Sequence, residues 1–171
     1  MSEHFKSLSA IFPLILRKNG DSSEILLHRR QNTGYQDGKW DIAGSGHVDE
    51  GETAQMAVVR ECREELGIEV DIKDLTFAHL SHRFSNRVYY DIYFVVRQYA
   101  GTPVIAEPEK CSALAWFPMD QLPGDMIDCR RLPGLQFRPS LALSPPLNLP
   151  APGRRQPIYI IFRFSIDLCF W

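Results

Sequence analysis

A chain of 171 residues, 44% apolar and 23% charged, has the size and balance of one globular domain. Its formal net charge of −2 excludes a global attraction to polymeric nucleic acid or an anionic membrane, so any phosphate binding has to come from a local site. Cys62, Cys111, Cys129 and Cys169 form no C-x-x-C pair, which excludes a zinc ribbon or thioredoxin-like centre and suits a reducing cytoplasm.

In chain order, residues 5–17 are apolar and β-rich, and Pro13 together with the lack of a small-residue cleavage site argues for a strand rather than a secretion signal. Asn19-Gly20-Asp21 is a turn signal and residues 24–30 resume the apolar run, which predicts a hairpin. A polar loop over residues 31–38 precedes a short strand at 39–43, followed by the glycine-rich turn Gly44-Ser45-Gly46.

Residues 53–66 contain no Gly or Pro, and Ala54, Val58, Cys62 and Leu66 recur at steps of four, which predicts a helix with one buried stripe. Gly67 is placed to end it. Residues 75–84 and 88–99 then read as two strands joined at 85–87, and 111–117 as another.

Composition breaks near Cys129. Seven of the twelve prolines lie between Pro133 and Pro157. Residues 1–128 hold 13 basic against 20 acidic side chains, a balance of −7, whereas residues 129–171 hold 6 against 1, a balance of +5. We therefore expect a catalytic domain over residues 1–128 and an atypical Pro/Arg-rich tail over 129–171 that is not a domain of its own. The apolar end at 158–171 is too short to span a bilayer, where roughly 20 residues are needed, so no membrane partner is expected.

The chemistry concentrates in the run GHVDEGETAQMAVVRECREELGI. Glu61, Glu64 and Glu65 stand at i, i+3 and i+4 and crowd one helix face, where like charges repel by a few tenths of a kcal/mol, about 0.2–0.5 per pair. Arg60 offsets part of that charge, and a hard divalent cation with oxygen ligands would offset more, with Mg²⁺ the economical candidate. The loop at 44–51 lets backbone approach a ligand closely while Glu52 enters the same site. An acidic helix face is more often merely solvated, but the whole spaced pattern weighs against that reading.

Gly46, Glu52, Arg60, Glu61, Glu64, Glu65 and Gly67, with apolar Cys62 and Ile68, match the Nudix box G-x5-E-x7-R-E-U-x-E-E-x-G-U, and the chain resembles the MutT-like members of the Nudix hydrolase superfamily. The resemblance implies an α+β fold, an α/β/α sandwich around a central mixed β-sheet. It also implies metal-dependent cleavage of a phosphoanhydride bond in a nucleoside triphosphate or other nucleoside-diphosphate-linked small molecule, with Mg²⁺ or Mn²⁺ as cofactor. A catalytically weak nucleotide sensor and an ADP-ribose or sugar-nucleotide pyrophosphatase are the alternatives.

By resemblance the metal ligands are Glu61, Glu64 and Glu65, supported by Glu52 and a carbonyl from the Gly46 region. Arg60, Glu61 and Glu64 are placed in the catalytic machinery. The segment EPEKCSALAWFPMDQLP adds Glu109 as base or extra ligand, with Glu107 as the second candidate. Arg29 and Arg30 end the second strand where such enzymes often place a phosphate-contacting arginine, and with Gly46 they form the expected substrate-binding set. Tyr35, Trp40, Phe84, Tyr90 and Trp116 offer faces for a nucleobase, although aromatics in a β-rich domain more often fill the core. His28, His47, His79 and His82 show no metal-ligand spacing and receive no role.

Two departures accompany the match. Ala43-Gly44-Ser45-Gly46 replaces the Pro-Gly-Gly or Pro-Ala-Gly of many relatives, and Pro133 and Gly134 would cut short the second helix expected near residues 125–135. The apolar tail is suited to cover the face left open, within the chain or across a homodimer. The balance of −7 disfavours the basic track that an RNA-decapping enzyme needs.

Overall fold

The computed structural model describes residues 6–84, 87–131 and 160–162. β1 (Leu8–Asn19) and β2 (Ser22–Arg30) form the expected hairpin, with Asn19 opposite Ser22 and Gly20 supplying the positive φ of +59° in the two-residue turn. β3 (Trp40–Ile42) pairs with β2, and the two-residue β4 (Gly46–His47) pairs with β1, so the predicted glycine turn ends in a bridge to the sheet.

β5 (Leu75–Phe84) and β6 (Val88–Val96) form a second hairpin, and β7 (Cys111–Pro118) returns to β2. The sheet runs β3-β2-β1-β6-β5-β8, with β4 on β1 and β7 on β2. It is mixed because residues 8–15 of β1 run parallel to β6 while the other named pairs are antiparallel. β8 (Ile160–Phe162), from the tail, pairs antiparallel with the edge of β5 within the same chain, Phe162 opposite Leu80.

The one α-helix among the described residues, α1 (Ala54–Leu66), begins at Thr53, whose side chain caps the Met56 N–H at 3.2 Å. It ends at Gly67 in the left-handed conformation, where the Gly67 N–H reaches the Arg63 carbonyl and the Ile68 N–H the Cys62 carbonyl, as a Schellman stop requires. Ala57, Val58, Cys62 and Leu66 are buried while Ala54 is only half-buried, because a step of four drifts round a 3.6-residue helix. Burying Val58 and Leu66 stabilises by about 1.5–3 kcal/mol each.

The sheet separates two cores, each fed by alternate residues of the same strands. Ile11, Ile15, Leu26, Phe94 and Val96 face α1, whereas Phe12, Leu14, Leu27, Tyr93 and Val95 pack on the other side with Ile42 and Met126. That second core contains a charged network. Asp91 accepts from Arg83 Nε and Arg130 Nη1, each at 2.8 Å, and Arg130 also lies 3.4 Å from Asp41 and over the Phe12 ring.

Arg130 follows the composition break at Cys129 yet is buried in this network. Between the end of β7 and Arg131 the backbone forms a 3-10 turn at Asp128–Arg130, in the region where a second helix is expected; residues 132–135 of that expected helix lie outside the described residues. No helix among the described residues is long and apolar enough to cross a membrane.

Candidate active site

The face of α1 that carries charge looks toward the β4 turn and the end of β2. Arg60 is its hub. Its Nε and Nη2 fork onto Glu52 at 3.2 and 2.7 Å, its Nη1 reaches Glu61 at 2.7 Å and Glu64 at 3.2 Å, and Nη2 also donates to the His47 carbonyl at 3.0 Å. One guanidinium thus gathers three of the expected carboxylates and ties the helix to the strand that holds Gly46. These bonds hold Glu52 below the usual carboxylate range, the Arg60 side chain first and the Asp49 N–H second.

Glu61 behaves oppositely. Burial raises its pKa, the Arg60 bond offsets part of this, and the negative charges of Glu64 and Glu107 add to the rise. Gly46 explains how the carboxyl fits there: a Cβ at Gly46 would collide with the Glu61 carboxyl group, so only glycine lets the side chain lie against this backbone.

Glu65 turns away from the Arg60 hub. Its carboxyl is buried beneath β2, where Oε2 has no hydrogen-bond partner and lies 3.7 Å from Nδ1 of His28. Burial, followed by the charges of Glu61 and Glu107, pushes it up to about 8, while Lys110 and Arg30 oppose the rise. Burial likewise lowers the pKa of His28.

The segment beyond β6 completes the site through backbone bonds. The Val104 N–H donates to the Leu66 carbonyl and the Ala106 N–H to the Glu65 carbonyl, both at 3.0 Å, which wraps this segment around the end of α1. Glu107 follows directly, half-buried and paired with Lys110 at 2.8 Å, and its charge reaches both Glu61 and Glu65. Glu109 is exposed, and its backbone carbonyl accepts from Asn32 at 3.1 Å.

Arg30 is committed to the loop after β2, donating to the Tyr35 carbonyl at 2.9 Å, Thr33 at 3.0 Å and Asp41 at 3.3 Å. Arg29 is exposed and donates to the Gly38 carbonyl at 2.8 Å. Among the aromatics, Trp40 packs edge-on against Phe117 and Trp116 lies under Arg17, so both are structural. Tyr35, Phe84 and Tyr90 are exposed.

His28 is the residue of the site that the sequence pattern leaves without a role. His28 alternates with Leu26 on the side of β2 that faces α1, so strand periodicity marks it as inward. Glu107, a candidate in the sequence beside Glu109, is carried to the end of α1 by the bonds of Val104 to Leu66 and Ala106 to Glu65.

Among the described residues no three His, Cys, Asp or Glu side chains already converge as a metal cage. The donor set nonetheless fits a hard divalent cation: Glu61 and Glu65 are desolvated carboxyls whose charges oppose each other, and the Glu61 carboxyl lies against the Gly46 backbone where a Cβ would stand. A cation taking Glu61 and Glu64 would compete with Arg60 for both.

A mixed sheet with a glutamate-bearing helix packed on one face and a glycine turn at the helix entry has counterparts among known proteins. Residues 8–133 match the NUDIX domain. The chain is 33% identical over 102 residues to CTP pyrophosphohydrolase of Escherichia coli K12, covering 60% of this chain and 70% of that one. It is 32% identical over 118 residues to the provisionally named nudix hydrolase 1 of Caenorhabditis elegans, covering 68% of this chain but only 30% of that protein's length. The crystal structure of a MutT NUDIX hydrolase from Burkholderia pseudomallei superposes with a TM-score of 0.65 at 27% identity, covering 74% of this chain and 95% of that one. The chain belongs to the NUDIX family and is a Nudix hydrolase.

Proposed function

We propose that this chain hydrolyses a phosphoanhydride bond in a nucleoside triphosphate or another nucleoside-diphosphate-linked small molecule, with Mg²⁺ or Mn²⁺ held by Glu61, Glu64 and Glu65. The observation that carries the reading is the desolvated, mutually repelling pair Glu61 and Glu65 beside the Gly46 turn. Such a pair is unfavourable in the empty protein and is relieved by a cation. The likeness to CTP pyrophosphohydrolase favours a nucleotide over other diphosphates.

When bound, the cation would neutralise phosphate charge and activate water for in-line attack. The chain's own part is positional. Arg60 fixes Glu52, Glu61 and Glu64 relative to the Gly46 turn, and Glu107, whose charge acts on Glu61 and Glu65, is the candidate to take up a proton from the attacking water or to add a ligand. Arg30, whose charge acts on Glu65, and Arg29, exposed at the end of β2 and 3.8 Å from Asp125, are the candidates to meet substrate phosphate, and Tyr35 is an exposed ring for a base. We take the functional unit as residues 1–128 plus the Arg130 network, and place it in the cytoplasm on the strength of the free thiols Cys62, Cys111 and Cys129.

The test is product analysis by mass spectrometry for a panel of nucleoside triphosphates, ADP-ribose and sugar nucleotides with Mg²⁺, against an E61Q/E65Q double variant. Cleavage by the parent and its loss in the variant is the expected result. Equal rates in both, or nucleotide binding without turnover, overturn it.

A further inference from the structure

His28 and Glu65 form a buried pair with unused hydrogen-bonding capacity. The His28 side chain is 8% and the Glu65 side chain 19% exposed, Nδ1 and Oε2 stand 3.7 Å apart, and both His28 Nε2 and Glu65 Oε2 lack hydrogen-bond partners. Buried polar atoms left unpaired cost about 1–3 kcal/mol each, so a packed but idle imidazole at this place would be unfavourable.

The neighbours of His28 leave one candidate. Across β7 it faces apolar Leu114, and across β3 it faces Asp41, whose carboxylate accepts hydrogen bonds from Arg30 and the Ile42 N–H and lies 3.4 Å from Arg130 Nε. Arg30 carries no acceptor. Glu65 Oε2 is the acceptor that remains, and less than an ångström of approach turns the 3.7 Å separation into a hydrogen bond.

We infer that His28 is a positioning residue for the metal site: its Nδ1–H holds Glu65 Oε2, fixing the carboxylate's orientation and leaving Oε1 for the cation. The tautomer follows from the surroundings. The proton belongs on Nδ1 because the acceptor Glu65 Oε2 stands 3.7 Å from that nitrogen, whereas no partner among the described residues meets Nε2. Hydrogen bonds of this kind behind a ligand change metal affinity by about 10–100-fold.

This inference rests on the assignment of Glu65 as a ligand, and the experiment separates the two. Mn²⁺ affinity is measured by electron paramagnetic resonance on the full chain for the parent, E65Q, H28L and H28N. Asparagine places an N–H close to where Nδ1 stands, whereas leucine fills volume without a donor. We expect about a tenfold weaker Mn²⁺ dissociation constant in H28L, recovery of most of it in H28N, and metal-free melting temperatures that do not follow this order.

If E65Q binds as the parent does, the ligand assignment fails and the inference falls with it. If E65Q is weakened but H28L binds as tightly as the parent, the inference alone fails. Ring ¹⁵N–¹H correlation spectra of the unmutated chain with Mg²⁺ add a readout that no folding defect can disturb. A His28 proton on Nδ1 supports the inference, and a proton on Nε2 alone overturns it.

Discussion

The Glu61 carboxyl group fills the space that a side chain at Gly46 would need. This relationship links a two-residue strand to the centre of the helix, and it makes the glycine a condition for placing the carboxylate rather than a hinge. Glu61 is also held by Arg60 at 2.7 Å, so it cannot yield without disturbing the hub.

A Gly46→Ala substitution should therefore damage function more than stability. The obstructing atoms belong to the end of a flexible side chain, so the fold should lose only about 1 kcal/mol. Mg²⁺-dependent turnover should fall by about tenfold or more, since an ångström of misplacement can cost about a hundredfold. Steady-state kinetics beside thermal melting checks this; a large drop in melting temperature with unchanged kcat per folded molecule would contradict it.

Glu107 and Glu109 should separate cleanly. Glu107→Gln should slow turnover by about 10²-fold if the carboxyl takes up the proton, and Glu109→Gln should leave it near the parent value, because the charge of Glu107 acts on both Glu61 and Glu65 while Glu109 is exposed. Kinetics of the two variants at saturating Mg²⁺ decides the point.

The metal-free protein should be more stable at mildly acidic than at neutral pH. Glu65 is pushed up to about 8 by burial and by Glu61 and Glu107, so across the interval from its unfolded value to about 8 the folded state binds more protons than the unfolded state. Unfolding free energy then falls as pH rises through that window, with Glu61 contributing in the same direction and His28, whose pKa burial lowers, opposing part of the fall. Denaturant melts in a chelator from about pH 5 to pH 8 should show the decline, Mg²⁺ should reduce it, and Glu65→Gln should flatten it.

Asp91 should be indispensable to the second core. Asp91→Ala removes the shared acceptor of Arg83 and Arg130 at a site where Asp91 is 1% exposed. Breaking a buried ion pair on one side costs about 3–5 kcal/mol. Calorimetric melting of the variant should show a loss of that order, and a loss below about 1 kcal/mol would mean that both arginines find other partners.

The sequence by itself determined the hairpins, α1 with its Thr53 and Gly67 ends, and the glutamates of its charged face. Each depends on periods of two or four residues or on single turn residues, and such local patterns lie along the chain. Arg60 was recognisable as a supporting residue because it stands four before Glu64 and one before Glu61. The tertiary structure decided which groups meet across long separations. It set Glu65 against His28, 37 positions apart, set the charge of Glu107 against the glutamates, committed Arg30 to its loop, and buried Arg130 between Asp41 and Asp91. These depend on strand register and on backbone bonds such as Ala106 to Glu65. No local period encodes them, because the energy of a buried charge is fixed by whatever the fold packs around it.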